Sequence, residues 1–385
     1  MPDSAATTSR RDPFLDSWRG IFHIVMLVDH LPFVLPGVFT AIAWLYEVAG
    51  YVTVAEGFVF LSGFVSGLVY TRIKQKKGAP AMWRKALARA GGIYVCYVVA
   101  TVGLVAIVRT FGWSAISWGT WEPLLNEPLG SSFIQVAAFL QQPTFLEILP
   151  MYSGLLLITP LLIGQLEKGR AALVLLLSLS IWIAAQYNGR NFLLNLVPFH
   201  SHIQLGYFNA MGWQLLFISG LVCGHKTNAN GRWLPGGWLL PMVAYMVFCL
   251  LLFMRHGWLG EPVSHKWTDR STVGPLRLLD FYSIVFLVCR FRPRIEKLIA
   301  WRGFAFLSRN SLQVFAFHLF PVYIAAIVLM RNKHDLSVPW QLLVVGFSIA
   351  GLFVIAFLTN WTRNLQHRLG WTRNASPAKL ASDPQ

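Results

Sequence analysis

The sequence predicts an all-α, polytopic integral membrane protein with about ten transmembrane helices. Of its 385 residues, 55% are apolar and only 12% are charged. The mean hydropathy is +0.54, whereas a soluble chain of this length exposes far more charge. The apolar residues also fall into stretches close to the roughly 20 residues a helix needs to cross the membrane. The expected spans are 20–39, 54–71, 86–108, 147–166, 171–187, 208–225, 237–255, 273–290, 303–330 and 339–360.

A net charge of +16 raises the question of nucleic acid. The placement of the cations answers it. With an even number of spans, 24 of the 32 lysines and arginines fall on the side of the termini and 8 on the other. Such a bias marks the cytoplasmic face, and anionic headgroups are its natural counter-charge. Both termini are therefore expected in the cytoplasm, with membrane lipids as partners and no nucleic acid. The same pattern divides the chain into a tail at 1–15, a membrane unit at 16–362 and a second tail at 363–385.

Cytoplasmic connections are short and basic, as at 73–85. The opposite connections, 109–146, 188–207 and 256–272, are longer. They carry Trp113, Trp118 and Trp121, then Asn188, Asn191, His200 and His202, then His256, Glu261, His265 and Asp269. Such residues suit carbohydrate, by stacking and hydrogen bonding, or form an interfacial aromatic belt. Cys96, Cys223, Cys249 and Cys289 fall inside expected spans without metal-binding spacing, so they are read as small packing residues and no metal is expected. The first apolar stretch carries Asp29 and His30 and has no small-residue cleavage pattern, so it is expected to stay as a helix.

That stretch, RGIFHIVMLVDH at 19–30, holds the densest chemistry. At 100° per residue, Asp16, Arg19, His23 and His30 share one helix face, and Arg19 and His30 are roughly 16 Å apart along the axis. Ionisable groups at membrane depth are costly and usually functional. The alternative for a single histidine is a hydrogen bond between helices. Asp29 points roughly 80° to 100° away from this stripe. EGFVFLSGFVSGLVY at 56–70 puts Glu56 just inside an apolar run, with no packing partner evident from sequence. Gly57, Gly63, Ser66 and Gly67 leave a thin face for a neighbouring backbone or a slender ligand. Glu147 opens the fourth span, Trp213 and Gln214 the sixth, and Arg277 and Asp280 the eighth. His318 lies within the ninth, seven residues after Ser311. Arg277 either pairs with a carboxylate or snorkels to the interface.

RDPFLDSWRGIFHIVMLVDHLP, EGFVFLSGFVSGLVY, EILPMYSGLLLITPLL, NAMGWQLLFISG, GPLRLLDF and RNSLQVFAFHLF occur here in the order seen in the OpgC family. That family resembles the wider acyltransferase 3 group, whose arginine-and-histidine signature the Arg19–x10–His30 spacing matches. The resemblance covers nearly the whole chain after residue 11. It implies O-succinylation of osmoregulated periplasmic glucans in the bacterial inner membrane, with succinyl-CoA or a related acyl-CoA as co-substrate, periplasmic glucan as acceptor and no permanently bound cofactor.

On this reading His30 is the general base, with Asp29 or Glu56 orienting it or the acceptor and His318 donating to the developing oxyanion. Arg19, Asp16 and His23 line the path of the acyl-CoA, and Glu147, Trp213 and Arg277 meet the sugar. Direct transfer and an acyl-imidazole intermediate are both open, as are succinyl and acetyl. A competing class is a transporter or flippase using the same residues as a proton relay. Inverted repeats, which would favour it, are not evident. A third reading is a scaffold for glucan synthesis.

Overall fold

Inside hydrocarbon a peptide group finds no water, so its hydrogen bonds must be made within the chain. In a computed structural model, which describes residues 12–31, 35, 50–111, 122–198, 203–230, 237–260, 263–332 and 336–368, every regular element is a helix. Among these residues the one β contact is an isolated bridge between Gln141 and Gln204.

Helix α1 spans Pro13–His30. Asp12 accepts from the Phe14 N–H at 3.0 Å and Pro13 opens the first turn, two start signals legible in the sequence. The expected span at 20–39 centres on His30, whereas the helix starts at Pro13 and makes His30 its last residue. Residues 32–34 and 36–39 of that span lie outside the described residues.

Helix α2, Val54–Phe111, joins two expected spans. The basic loop expected at 73–85 is helical apart from a break at Gly78, where φ is 81° and Pro80 follows. Glycine accepts that dihedral and proline cannot continue the preceding ladder, so the chain bends without leaving helix.

The long connection at 109–146 contains two short helices, α3 (Glu122–Asn126) and α4 (Leu129–Ala137). Then come α5 (Ile148–Glu167), α6 (Ala171–Gln186) and α7 (Gly189–Asn195). The last two meet at 80°, with Asn188 left-handed at φ 61° between them. They are followed by α8 (Ala210–Asn230), α9 (Leu239–Arg255), α10 (His265–Thr268), α11 (Pro275–Arg290) and α12 (Arg292–Ile299). The ninth expected span is not one helix. It divides into α13 (Arg302–Arg309), α14 (Ser311–Phe317) and α15 (Leu319–Asn332), broken at Asn310 and His318. Helix α16 is Val338–Arg368.

Among the described residues, four stretches can cross a membrane by length and composition: Val54–Phe111, Ile148–Glu167, Ser311–Val328 and Val338–Gln366. The bent pair α6–α7 makes a fifth. Other expected spans are present as shorter or more polar helices, such as α9 with 17 residues. Trp113, Trp118, Trp121, His200, His202 and Glu261 lie outside the described residues, as do 1–11 and 369–385 of the tails.

The core is built on the seam between the first arm of α2 and α8. Added Cβ atoms on Gly63 and Gly67 would overlap the carbonyl oxygens of Phe217 and Leu221; on Gly220 and Gly224 they would meet those of Phe60 and Phe64. Small residues on both sides let the two backbones touch. Gly20 plays the same part for α1 against Phe304 on α13. One end of the assembly gathers cations and their partners: Lys74 with Glu167, Arg72 with Asn228 at 2.8 Å, and Arg292 with Asp12 at 2.7 Å.

Gly63→Val is expected to lower stability in detergent by about 1–3 kcal/mol or to prevent assembly, through overpacking. Gly154→Ala, with nothing within 4 Å of its added Cβ, is expected to raise the thermal midpoint through helix propensity. Paired thermal melts check both signs.

Candidate functional site

The helix end at His30 and the break at His318 bring two imidazoles together. Their ring centroids are 5.2 Å apart, with the planes at 37°. His318 is fully enclosed and its Nδ1 meets the Phe315 carbonyl. A carbonyl only accepts, so in the neutral ring Nδ1 carries the proton and Nε2 carries the lone pair. That Nε2 is buried without a hydrogen-bond partner among the described residues. The sequence reading of His318 as an oxyanion donor thus meets a ring set up to accept. His30 is slightly more open, at 8% exposure. Phe145 packs edge-on against it at 4.1 Å. Phe145 is left-handed, φ 71°, a conformation bulky residues rarely adopt, and the surrounding packing holds it there.

Glu56 has no exposed surface, yet it does not stand alone. Thr53 is the N-cap of α2, and its N–H and hydroxyl donate to Glu56 Oε2 at 3.0 and 2.6 Å. The carboxylate thus makes the return half of a capping box, for which T-x-x-E at 53–56 is the sequence signature, while the hydroxyl donates to the carboxylate as well. The other oxygen faces Arg277 Nε at 3.0 Å. The expectation of an unpartnered carboxylate is corrected: Glu56 closes a helix terminus and neutralises a buried guanidinium. Arg277 also donates to the Tyr51 carbonyl, while Asp280, one turn on, accepts the Tyr51 N–H at 2.7 Å. Gly50 (φ 67°) permits this, since a Cβ there would collide with the Asp280 carboxylate.

Asp29, off the histidine face as the helix angle predicts, pairs with Arg270 at 3.5 Å. Arg270 sits in a tightly held loop. Trp213 is fully buried and its indole donates to the carbonyls of Arg270 and Ser271 at 3.1 and 3.0 Å. Gln186 holds the Thr272 carbonyl at 2.9 Å and Trp182 the Val273 carbonyl at 2.8 Å. Asp269 accepts from Ser271 Oγ and from the Thr272 N–H and hydroxyl. Burial of Asp269 opposes its charge, but those donors prevail and hold its carboxyl below the usual range. Trp213, expected among the sugar contacts, stands behind the site as a support. Arg270 and Phe145 were not singled out from sequence, because only the fold brings 145 and 270 to residue 30.

The remaining candidates divide. His23 Nε2 is 2.8 Å from Ser311 Oγ and is buried beside Phe58, so it joins α1 to α14. Asp16 accepts from Ser308 at 2.8 Å, tying α1 to α13. Arg19 is half-buried between them along the same stripe. Glu147 is buried and accepts the Tyr207 N–H at 3.2 Å. Asp29, His30, Glu56, Glu147, Arg277 and His318 gather where α1 ends and α2, α5 and α11 begin. Asp16, Arg19 and His23 lie further back along α1. Among the described residues no group of three histidine, cysteine, aspartate or glutamate side chains is arranged to hold a metal ion.

Fold and site together describe a helical membrane protein with a buried, titratable centre between helix ends. The OpgC protein family matches residues 11–364, nearly the whole sequence, and the chain belongs to that family. Membership makes it a membrane enzyme of the acyltransferase type, acting on glucans. No curated protein and no solved structure matches it.

Removing one partner of a buried ion pair strands the other, at about 3–5 kcal/mol. Arg277→Met is expected to destabilise the protein by that order. The double variant Glu56→Gln/Arg277→Met is expected to lose less than the two single changes summed. Denaturation in detergent around this double-mutant cycle measures the coupling.

Proposed function

We propose that the chain is an O-acyltransferase of the bacterial inner membrane that moves a succinyl group from cytoplasmic succinyl-CoA to hydroxyls of periplasmic glucans. The observation that supports this reading best is the pair of enclosed imidazoles, one with its lone pair fixed by the Phe315 carbonyl. Neutral imidazole is the side chain best suited to take a hydroxyl proton near neutral pH.

The acyl-CoA approaches from the basic end, its phosphates drawn to Arg19 and the neighbouring cations of the cytoplasmic face. The glucan arrives at the opposite end, where Glu147, Arg277 and Asp29 lie. As the sugar oxygen attacks the thioester carbonyl carbon, its proton passes to His30, the more open ring of the pair. The carbon–sulfur bond then breaks and the proton follows to the departing thiolate. His318 Nε2, a bare acceptor, takes a hydrogen bond from the imidazolium while it exists. Asp29 and Glu56, each held by an arginine, position the walls around that event. On this reading the ten spans place both termini in the cytoplasm.

The test uses purified protein in nanodiscs with labelled succinyl-CoA and periplasmic glucan. Label on the glucan is expected, falling about 100-fold or more in His30→Ala and His318→Ala while membrane insertion is unchanged. The wild-type rate falls on acidification, because a protonated imidazole cannot accept. Transfer at the wild-type rate by His30→Ala overturns the proposal. Uptake of glucan or donor into vesicles without modification supports transport instead, and preference for acetyl-CoA over succinyl-CoA overturns the assignment of the acyl group.

A further inference from the structure

Helix α1 has two working faces. Asp16, Arg19, His23 and His30 form one. The other lines a separate groove of about 330 Å³ between α1, the first arm of α2 and α11. Its walls include Phe14, Trp18 and Phe22 on α1, Gly57 and Phe64 on α2, and Val285 on α11. From Phe14 to Val28 it follows fourteen residues of α1, about 21 Å at 1.5 Å each, most of the ~30 Å hydrocarbon thickness. Gly57 lets the Phe22 ring lie against α2 as part of the wall, since a Cβ there would stand 2.7 Å from that ring.

The chemistry of the wall restricts the occupant. Thr53 offers the groove a hydroxyl, but that hydroxyl already donates to Glu56 at 2.6 Å. A pantetheine arm would bring two amides with no partners, at about 1–3 kcal/mol each. Water needs two to four polar contacts and would find too few. A hydrocarbon chain meets no such penalty. The groove's Phe14–Cys289 end is basic. The Arg292 guanidinium lies 4.9 Å above the Phe14 ring, balanced by Asp12 and Glu296. Arg290, Arg294 and Lys297 are exposed around it, so cations outnumber carboxylates there.

We propose that this groove binds one acyl chain of an anionic phospholipid, with the lipid phosphate at Arg290 and Arg294. The site is distinct from the histidine face and does not depend on the acyl-transfer reading. A lipid seated there fills the gap between α1 and α11 and leaves the other face of α1 against α13 and α14.

The experiment uses the full chain in phosphatidylcholine nanodiscs doped with phosphatidylglycerol that carries a diazirine in mid-chain. Photolabel is expected on peptides of α1, the first arm of α2 and α11. It should drop at least tenfold in Gly57→Leu and in Val285→Trp, with gel filtration and circular dichroism unchanged in at least one of them. Arg290→Gln/Arg294→Gln should reduce labelling by phosphatidylglycerol several-fold and leave labelling by the matching phosphatidylcholine probe as it was. The proposal is overturned by label spread equally over the exposed faces of α9 and α16, or by equal labelling in both filled variants. It is overturned too by competition from glycerol phosphate alone, which would mark a phosphate site, by an unchanged headgroup preference in the arginine variant, or by a second copy crosslinked across the groove.

Discussion

A carboxylate and a guanidinium can share a hydrocarbon interior only if each completes the other, and the Glu56–Arg277 pair does so with help on both sides. Thr53 supplies two donors to the carboxylate, and the Tyr51 carbonyl takes a further guanidinium donor. The remainder of the centre is referenced to this pair. It fixes the start of α2 against the start of α11, and Asp280 repeats the grip one turn further along on the same residue, taking the Tyr51 N–H. Desolvation makes the arrangement unforgiving, because either charge left alone costs more than the pair contributes.

The second support is the segment from Asp269 to Gly274. Four successive carbonyls, from Arg270 to Val273, are held by two tryptophans and a glutamine. Irregular backbone at membrane depth is tolerated where protein satisfies its polar groups, and here side chains of α6 and α8 do that work. Val273, left-handed at φ 57° and fully buried, is held in place by the same contacts. The outcome is a fixed path for the Arg270 side chain toward Asp29, on a connection that would otherwise be free to move.

Much of this was legible in the sequence. Composition gave the class, and helix periodicity correctly separated Asp29 from the stripe that holds His23 and His30. The family motifs sat in order. Gly63 and Gly67 proved to be close-packing positions, as one of their two readings held. Boundaries fared worse. An apolar count cannot see that Asp12 and Pro13 start α1 early, nor that Gly78 bends a helix that otherwise continues through lysines and arginines. The break at His318 is equally invisible to hydropathy, although Pro321, which has no N–H for the Phe317 carbonyl four residues back, marks it in the sequence. Glu56 shows both sides: T-x-x-E at 53–56 marks a helix start in the sequence, whereas the pairing with Arg277 joins residues 221 apart in sequence. Arg270 and Phe145 could not be found by pattern, because what matters about them is a tertiary neighbour more than a hundred residues away in sequence.

The glycine seam bears on which parts of this protein can move. With carbonyl oxygens of α2 and α8 lodged where side chains would normally stand, neither helix can slide or roll past the other without colliding, so the two behave as one rigid girder. Any opening of the centre must then hinge elsewhere. Helix α13 is locked to α1 in the same way at Gly20, whereas α14 is tied to α1 through the His23–Ser311 hydrogen bond, and that is the joint that can give.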